Sequence, residues 1–191
     1  SIFVFEINSK KKIMLISIKN ELKSFDIENL GAQFYSYINY GKSSEYFINS
    51  DSIANKNENL LGHFLHGLKL KSYEFNKYKT KKEIRIISIN VLGNKNKPSA
   101  QSQLKFKALE EGTFYARDLV SEPGNILHPD EYSKRLNSLR KDGLKINIYD
   151  EKKLKKLGMN ALLGVGMGSI RGSYLVTMEW NGAKNNSKPL A

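Results

Sequence analysis

Alternating apolar and polar residues open the chain and predict a pair of β-strands there. The strands are predicted at Ile2–Ile7 and Lys12–Ile18, with a lysine-rich turn at Ser9–Lys12 between them. A strand points successive side chains to opposite faces of its sheet. The second strand is apolar on both faces, which predicts that both are at least partly covered: Met14, Ile16 and Ile18 on one face, Ile13 and Leu15 on the other.

Helical spacing and short apolar runs alternate through the rest of the first half. Asn59–Tyr73 is a predicted amphipathic helix, and a shorter helical face lies within Asn20–Tyr40. Strands are predicted at Glu45–Ser50 and Glu83–Gly93. The second of these is apolar on both faces, which is typical of a central strand. The apolar residues behind these predictions are Leu30, Phe34 and Ile38, then Leu61, Phe64, Leu65 and Leu68, then Ile84, Ile86, Ile87, Ile89 and Val91.

One long helix is predicted between the polar stretch Asn94–Gln101, which is the best candidate for a linker, and Val120. Pro123 disfavours helical geometry in the residue before it, whereas Pro129 suits the first turn of a new helix. We therefore expect the chain to turn between the two prolines. The predicted apolar stripe of the long helix contains small residues, which favours close approach of another element: Leu104, Ala108, Gly112, Ala116 and Leu119.

Helices and strands are interleaved beyond Pro129, which favours a mixed or mostly parallel sheet. The helix that begins there has an apolar stripe of Tyr132, Leu136 and Leu139 and ends at Gly143. The order of elements indicates the α/β fold class. The predicted elements that follow are a strand at Leu144–Asp150, a basic helix at Asp150–Gly158, and strands at Ala161–Gly166 and Ser173–Trp180.

Composition excludes several kinds of site. The chain of 191 residues contains no cysteine, so disulfides, thiolate metal sites and cysteine nucleophiles are excluded. No apolar run approaches the roughly 18 residues that cross a bilayer, so no membrane partner is predicted. A cytoplasmic location is compatible with both observations.

The formal net charge of +12 indicates either a polyanionic partner or a generally basic surface. Lysines number 26 and arginines only 5, whereas proteins that recognise phosphates and bases usually rely on arginine. The stretch Tyr73–Glu83 mixes aromatic and basic residues, as do surfaces that stack bases, but it is also an ordinary composition for a solvated loop. DNA is therefore kept as a candidate partner.

Three other features allow both a chemical and a structural interpretation. His63 and His66 have the spacing of two metal ligands on one helix face, but no third ligand lies near them in the sequence and the neighbouring glycines indicate close packing. His128 is a candidate base without an assignable partner. The glycine-rich Gly164–Gly172 lacks the spacing of a phosphate-binding loop, and a predicted strand rather than a helix follows it.

Four segments have a distinctive order and spacing: Tyr73–Lys81, Ala116–Leu136, Leu157–Ser169 and Tyr174–Ala183. The most specific motif is Arg117-Asp118-Leu119 followed by Glu122-Pro123-x-Asn125. Together the segments resemble the leucyl aminopeptidase family, also called the cytosol aminopeptidases. The resemblance is strong from about Tyr73 onward and weak before it.

The resemblance implies a cytosolic two-metal enzyme that releases N-terminal residues, often leucine, from peptides with free N-termini. In such enzymes two divalent ions, zinc or manganese, activate a water molecule and polarise the scissile carbonyl. It also implies a homo-hexamer built from paired trimers and, in some bacterial members, DNA binding. The N-terminal domain of the family resembles the macro fold that binds ADP-ribose, but residues 1–93 contain no apparent glycine-rich loop for ribose or phosphate.

The resemblance divides the chain into an N-terminal mixed-sheet, macro-like α/β domain at residues 1–96, a linker helix at 97–121, and the start of a mostly parallel-sheet metallopeptidase domain at 122–191. The alternative function is a DNA-binding or assembly module of such a protein. One departure is His128, which stands where the family usually has Ser or Thr, so a capping hydroxyl is lost.

The metal ligands, the catalytic lysine and the catalytic arginine of the family all follow a strand like the one begun at Leu190-Ala191. No catalytic, metal-binding or substrate-binding residue is therefore assigned in this chain. We expect the 191 residues alone to lack peptidase activity and to hold none of the catalytic metal.

Overall fold

The computed structural model describes residues 2–8, 11–19, 21–54, 59–81 and 85–182. The chain divides into two compact units, Ser1–Asp118 and Leu119–Ala191. In chain order the elements are β1 (Ile2–Asn8), β2 (Lys11–Ile16), α1 (Ser24–Asn39), β3 (Glu45–Asn49), α2 (Leu60–Lys71), β4 (Ser88–Leu92), α3 (Ala100–Ser121), α4 (Pro129–Ser138), β5 (Lys145–Tyr149), α5 (Glu151–Lys156), α6 (Asn160–Gly166) and β6 (Leu175–Glu179).

The core of the first unit lies between α1 and α2, as their apolar spacing predicts. Glycines bring the two helices into direct contact, because a Cβ at Gly67 would lie 1.9 Å from the backbone oxygen of Glu28. A Cβ at Gly31 would lie 2.0 Å from the backbone oxygen of Phe64. The prediction of close packing beside the histidine pair is confirmed. The buried cluster comprises Ile27, Phe34, Ile38, Leu60, Leu61, Phe64 and Leu68.

Strands β1 and β2 form the predicted antiparallel hairpin, although Ser9 and Lys10 of its turn lie outside the described residues. Met14 and Ile16 face the core. The opposite face was predicted to be at least partly covered, and there Ile13 and Leu15 are 47% and 54% exposed. An apolar pattern on both faces of a strand shows that neither face is polar. It does not show that another element of the chain packs on the second face.

Strands β3 and β4 pair in parallel, with Tyr46 opposite Ile89. The prediction of a central strand over Glu83–Gly93 is wrong: among the described residues β4 pairs only with β3, and Ile86 is 76% exposed. Glu83 and Ile84 lie outside the described residues. The chain just before β4 is instead held by Arg85, whose guanidinium donates to the backbone oxygen of Ser43 at 2.7 Å.

Helix α3 forms where it was predicted, but the face that it buries was predicted wrongly. Its buried residue is Phe106, whereas Leu104 is 69% exposed and a Cβ at Gly112 would meet nothing within 4 Å. Two residues correspond to about 200° around a helix, so Phe106 and the predicted stripe point in nearly opposite directions. One phenylalanine offers more area to bury than the stripe's alanines and glycine, and it decides the orientation.

Helix α4 of the second unit begins at Pro129, as predicted, and is followed by a 3-10 turn that ends at Gly143 with φ of 93°. Strands β5 and β6 pair antiparallel. This described pair therefore does not provide the parallel strands that a mostly parallel sheet requires. The stripe prediction holds for Leu136, which is buried, whereas Tyr132 is 43% exposed. Among the described residues of this unit, Ile146 and Leu154 are the other buried apolar residues.

The predicted strand at Ala161–Gly166 is wrong, because these residues form helix α6. The run is too short for its period to distinguish a helix from a strand. Gly158 has a positive φ of 70°, and the Leu163 N–H donates to the backbone oxygen of Met159 at 3.2 Å. The chain therefore closes a new helical turn directly after α5.

Candidate functional site

The most specific sequence motif begins at the C-terminal part of α3, where Arg117 and Asp118 both contact residues at the end of α2. The Arg117 guanidinium donates to the backbone oxygen of Leu70 at 2.6 Å and lies over the Tyr73 ring at 5.5 Å. The Tyr73 hydroxyl donates to Asp118 Oδ1 at 2.8 Å. Within the first unit, these two motif residues connect the C-terminal part of α3 with the end of α2 and the residues that follow it.

Glu122, the next charged residue of the motif, is buried and ion-paired. Its carboxylate accepts from Arg135 Nη1 at 2.7 Å, and only 1% of its side chain is exposed. Arg135 Nε also donates to Glu131 at 3.0 Å. The hydrogen bond from Arg135 lowers the pKa of the Glu131 carboxyl, while Glu122 and then Glu131 raise the pKa of the guanidinium. The three charges link the turn after α3 to α4.

The turn itself is built on Pro123. Its backbone oxygen accepts from the N–H groups of both Ile126 and Leu127 at 2.9 Å, so the predicted turn between the prolines is confirmed. His128 is the N-terminal cap residue of α4, and its side chain makes no capping hydrogen bond. The start of α4 therefore lacks the side-chain capping hydrogen bond that a Ser or Thr hydroxyl could accept at this position.

The candidate base His128 is engaged with an acid of its own helix. Its ring Nδ1 is hydrogen-bonded to Asp130 Oδ1, and Arg171 reaches the other carboxylate oxygen at 3.4 Å. Burial opposes ionisation of Asp130, but the hydrogen bonds from His128 and from its own backbone N–H outweigh it and lower the pKa of this carboxyl. The arrangement is a set of polar contacts around Asp130 at the start of α4.

The histidine pair of α2 binds carboxylates on two different helices. His63 Nδ1 lies 2.8 Å from Glu28 Oε1, and His66 Nδ1 lies 3.0 Å from Glu110 Oε1. The Phe106 ring lies against both imidazoles, with centroid distances of 5.0 Å to His63 and 4.9 Å to His66. Since each ring has its own acid and shares an aromatic neighbour, the pair joins α1, α2 and α3 and is not set up to share one ion.

Within the described ranges, no group of three or more His, Asp or Glu side chains is placed to hold a metal ion. The glycine-rich stretch Gly164–Gly172 likewise forms no phosphate cradle. It contains the end of α6 and a turn in which Ser169 N–H donates to Gly166 O at 3.0 Å. The chain then continues into β6 and not into a helix, so the stretch does not lead into a helix N-terminus as a phosphate-binding loop does.

The described part of the basic stretch, residues 73–81, is a loop with a shallow depression lined by Glu74, Asn76, Lys79 and Lys81. Three aromatic rings around it are already covered by cations of the chain, which leaves fewer ring faces for bases to stack on. The pairs and their distances are Arg117 over Tyr73 at 5.5 Å, Lys69 over Phe114 at 6.0 Å, and Lys77 over Tyr78 at 5.5 Å.

Sequence reasoning missed the residues that organise these clusters. Glu28, Phe106 and Glu110 were not singled out. No local signal connects the two glutamates with the histidines, because 35 and 44 residues separate the hydrogen-bonded partners. The contact of Glu131 with Arg135 could have been found from its i, i+4 spacing. The contact of Glu122 with Arg135 could not have been found in this way, because the two residues are thirteen positions apart.

The chain is similar in sequence to known proteins. Residues 114–191 match the family described as "Cytosol aminopeptidase family, catalytic domain". A probable cytosol aminopeptidase of Brucella melitensis is 42% identical over 131 residues, which are 65% of this chain and 27% of that protein. One from Nitrobacter winogradskyi is 33% identical over 175 residues, 89% of this chain and 35% of that protein. The chain thus spans about a quarter to a third of the length of these relatives.

Solved structures share the fold. A mutant of tomato leucine aminopeptidase superposes with a TM-score of 0.78 at 18% identity, over 93% of this chain and 37% of that one. The bottromycin maturation enzyme BotP in complex with Mn gives 0.74 at 17% identity, over 93% and 38%. The predicted mixed α/β class is confirmed by these similarities. None of the helices in the described part of the chain has the length and apolar character that a bilayer crossing requires.

Proposed function

Since the chain belongs to the cytosol aminopeptidase family, we propose that it is the N-terminal portion of a metalloaminopeptidase that releases N-terminal amino acids, often leucine, from peptides. The observation that carries this proposal is the match of residues 114–191 to the catalytic domain of the family. The match includes the ion-paired Glu122 and the start of α4. The proposed role of the matched residues is to form the beginning of the catalytic domain.

The proposed cofactors of the intact enzyme are two divalent ions, manganese or zinc. A divalent metal is supported by the family and by the Mn complex of the structurally similar BotP. The residues described in this chain do not fit such a centre, because they bring no three metal-binding side chains together. We therefore assign no catalytic, metal-binding or substrate-binding role to any of them. Their proposed contribution is structural.

Three further properties are proposed for the intact enzyme from the family resemblance. We propose that it works in the cytoplasm, assembles as a homo-hexamer of paired trimers, and acts on peptides with free N-termini. The three parts proposed for this chain are the N-terminal domain at 1–96, the linker helix at 97–121 and the opening of the catalytic domain at 122–191.

Hydrolysis of a leucyl anilide by the purified 191-residue chain, with manganese or zinc added, tests this assignment. We expect no hydrolysis above the rate of the free metal. Measurable turnover that scales with protein concentration and disappears with a chelator would contradict it, because a complete metal centre would then lie within this chain.

A polyanion-binding role is the second candidate, and the net charge of +12 is the observation in its favour. The cation–π pairs around residues 73–81 leave phosphate contact rather than base stacking as its basis. Binding that rests on phosphate contacts weakens by roughly 0.9 log units per contact for each log unit of salt. A DNA titration at several salt concentrations therefore tests this role. A DNA-binding chain should still bind at moderate salt and weaken steeply as salt rises, whereas a merely basic surface should show no binding at moderate salt.

A further inference from the structure

The sequence contains one Asn-Gly dipeptide, Asn181-Gly182, which follows shortly after the end of β6. Both residues are exposed and belong to neither a helix nor a strand. An asparagine side-chain amide is attacked most readily by the backbone nitrogen of a following glycine. Glycine has no Cβ to block the approach, and its backbone adopts the widest range of dihedrals. The dipeptide is therefore a candidate modification site that the proposed peptidase role does not use.

Asn147 provides a comparison within the same unit, because it is also exposed but lies in a strand. It faces Thr177 in the antiparallel β5–β6 pair, and its side-chain Nδ2 donates to Thr177 Oγ1 at 3.3 Å. The residue after it is the β-branched Ile148. Pairing fixes the two soft backbone dihedrals that would have to rotate to bring the next nitrogen onto the side chain. Exposure is thus shared by the two asparagines, and the backbone setting separates them.

The side chain of Asn181 is held by a carboxylate at the end of β6. Its Nδ2 donates to Glu179 Oε1 at 3.0 Å, and Glu179 Oε2 lies 3.0 Å from Lys145 Nζ. The hydrogen bond from Lys145 and then the one from Asn181 lower the pKa of the Glu179 carboxyl. Glu179 therefore stays ionised at neutral pH and uses the Asn181 amide as a hydrogen-bond donor.

We propose that Asn181 is a site of spontaneous deamidation, with water as the co-reactant. The Gly182 nitrogen attacks Asn181 Cγ, and the new C–N bond closes a succinimide ring while the bond from Cγ to Nδ2 breaks. The proton of the Gly182 N–H passes through solvent to the leaving group, which departs as ammonia. Water then opens the ring at either carbonyl and leaves aspartate or isoaspartate. One water is consumed and one ammonia is released, with no oxidation or reduction.

The product reverses the contact at the end of β6. A carboxylate at position 181 cannot donate to Glu179 and repels it. Isoaspartate also lengthens the main chain by one carbon at this position. Glu179 and Lys145 are both half exposed or more, so solvent screens the change and the fold is retained. The modification is therefore detected as a change of mass and charge, and the proposal does not depend on peptidase activity.

Incubation of the purified 191-residue chain at mildly alkaline pH, followed by mass spectrometry of its tryptic peptides, tests the proposal. The peptide Gly172–Lys184 contains Asn181 as its only asparagine, and Ile146–Lys152 contains only Asn147. We expect the first peptide to convert from amide to acid at least about tenfold faster than the second, which corresponds to a barrier lower by about 1.4 kcal/mol. In isotopically labelled water the product should incorporate one solvent oxygen. An isoaspartyl methyltransferase should methylate part of the Gly172–Lys184 peptide.

Asn181→Gln is the matched control, because it keeps an amide donor but would have to close a larger, less favourable ring. Its peptide should remain unconverted over the same period, and the fluorescence of Trp180 checks that the fold is retained. Three results would overturn the proposal: an unchanged Gly172–Lys184 peptide in the natural sequence, equal conversion at Asn181 and Asn147, or the same gain of mass in Asn181→Gln.

Discussion

Arg135 Nη1 lies 2.7 Å from Glu122 Oε1, and this ion pair connects the turn after α3 with helix α4. The carboxylate is almost completely buried, whereas 21% of the Arg135 side chain is exposed. Glu122 comes directly before the proline that ends the helical geometry. The motif residue therefore acts by holding the start of the second unit in place.

Arg135→Met should destabilise the second unit by about 3 kcal/mol, because removing one partner of a buried pair leaves the other charge poorly compensated. The single tryptophan, Trp180, lies in this unit, so its fluorescence during urea denaturation reports the loss. Lys134→Met is the control, since that side chain is 81% exposed and should change stability by less than about 0.5 kcal/mol. Equal effects of the two substitutions would show that the buried pair has no special role.

The second unit should also lose stability in acid. Asp130 and Glu131 both have a pKa below their ordinary values of 3.8 and 4.5. A carboxyl with a lowered folded-state pKa stabilises the fold above its unfolded value and loses that contribution as the pH falls through the folded value. We expect a constant urea midpoint for Trp180 fluorescence from neutral pH to about pH 5, and a decline below it. Glu131→Gln should make the decline shallower. A midpoint that rises in acid would contradict the assignment.

Phe106→Ala should destabilise the first unit by about 3 kcal/mol, because it removes the ring that packs against His63 and His66. Leu104→Ala should have little effect, since Leu104 is 69% exposed. Circular dichroism during urea denaturation gives both values, provided that the transition of the first unit is separated from the Trp180 signal. A larger loss in Leu104→Ala would restore the sequence-based prediction of the buried stripe.

Two glycine substitutions should act in opposite directions. A Cβ at Gly67 would lie 1.9 Å from the Glu28 backbone oxygen, so Gly67→Ala must push α1 and α2 apart at a cost of about 1–3 kcal/mol. Gly112 lies within α3 with open space around it, and Gly112→Ala should stabilise the chain by about 0.5–1 kcal/mol. Thermal melts of the two variants measure the difference. Destabilisation by Gly112→Ala would mean that the exposed side of α3 is covered in solution.

Local rules predicted most elements of this chain but not how they are arranged. The prolines at 123 and 129 act through backbone geometry alone, so the turn and the start of α4 were predicted from the sequence. Helix α4 itself ends at Ser138, and the predicted stop at Gly143 ends the 3-10 turn that follows it. The run Ala161–Gly166 was assigned to the wrong class because six residues do not define a period. The buried side of α3 depends on Phe106 meeting two histidines some forty residues earlier, and the sequence does not contain that contact in local form.

In the candidate site, too, the sequence predicts some features and only the folded structure reveals the others. The signature around Glu122 identifies a family, because its residues and spacing are specific. The structural role of each residue depends on partners such as Leu70 and Arg135, which only the folded chain brings close. The pairing of His63 with Glu28, and of His66 with Glu110, replaces a two-histidine metal hypothesis by two separate histidine–carboxylate hydrogen bonds.

A chimera tests the proposed function most directly. The aligned N-terminal segment of the Nitrobacter winogradskyi relative would be replaced by the corresponding 175 residues of this chain. We predict that the chimera hydrolyses leucyl anilide in the presence of manganese, while the relative without this segment and the 191-residue chain alone do not. A chimera that is folded and has the same oligomeric mass as its parent, yet is inactive, would contradict the assignment of this chain to an aminopeptidase.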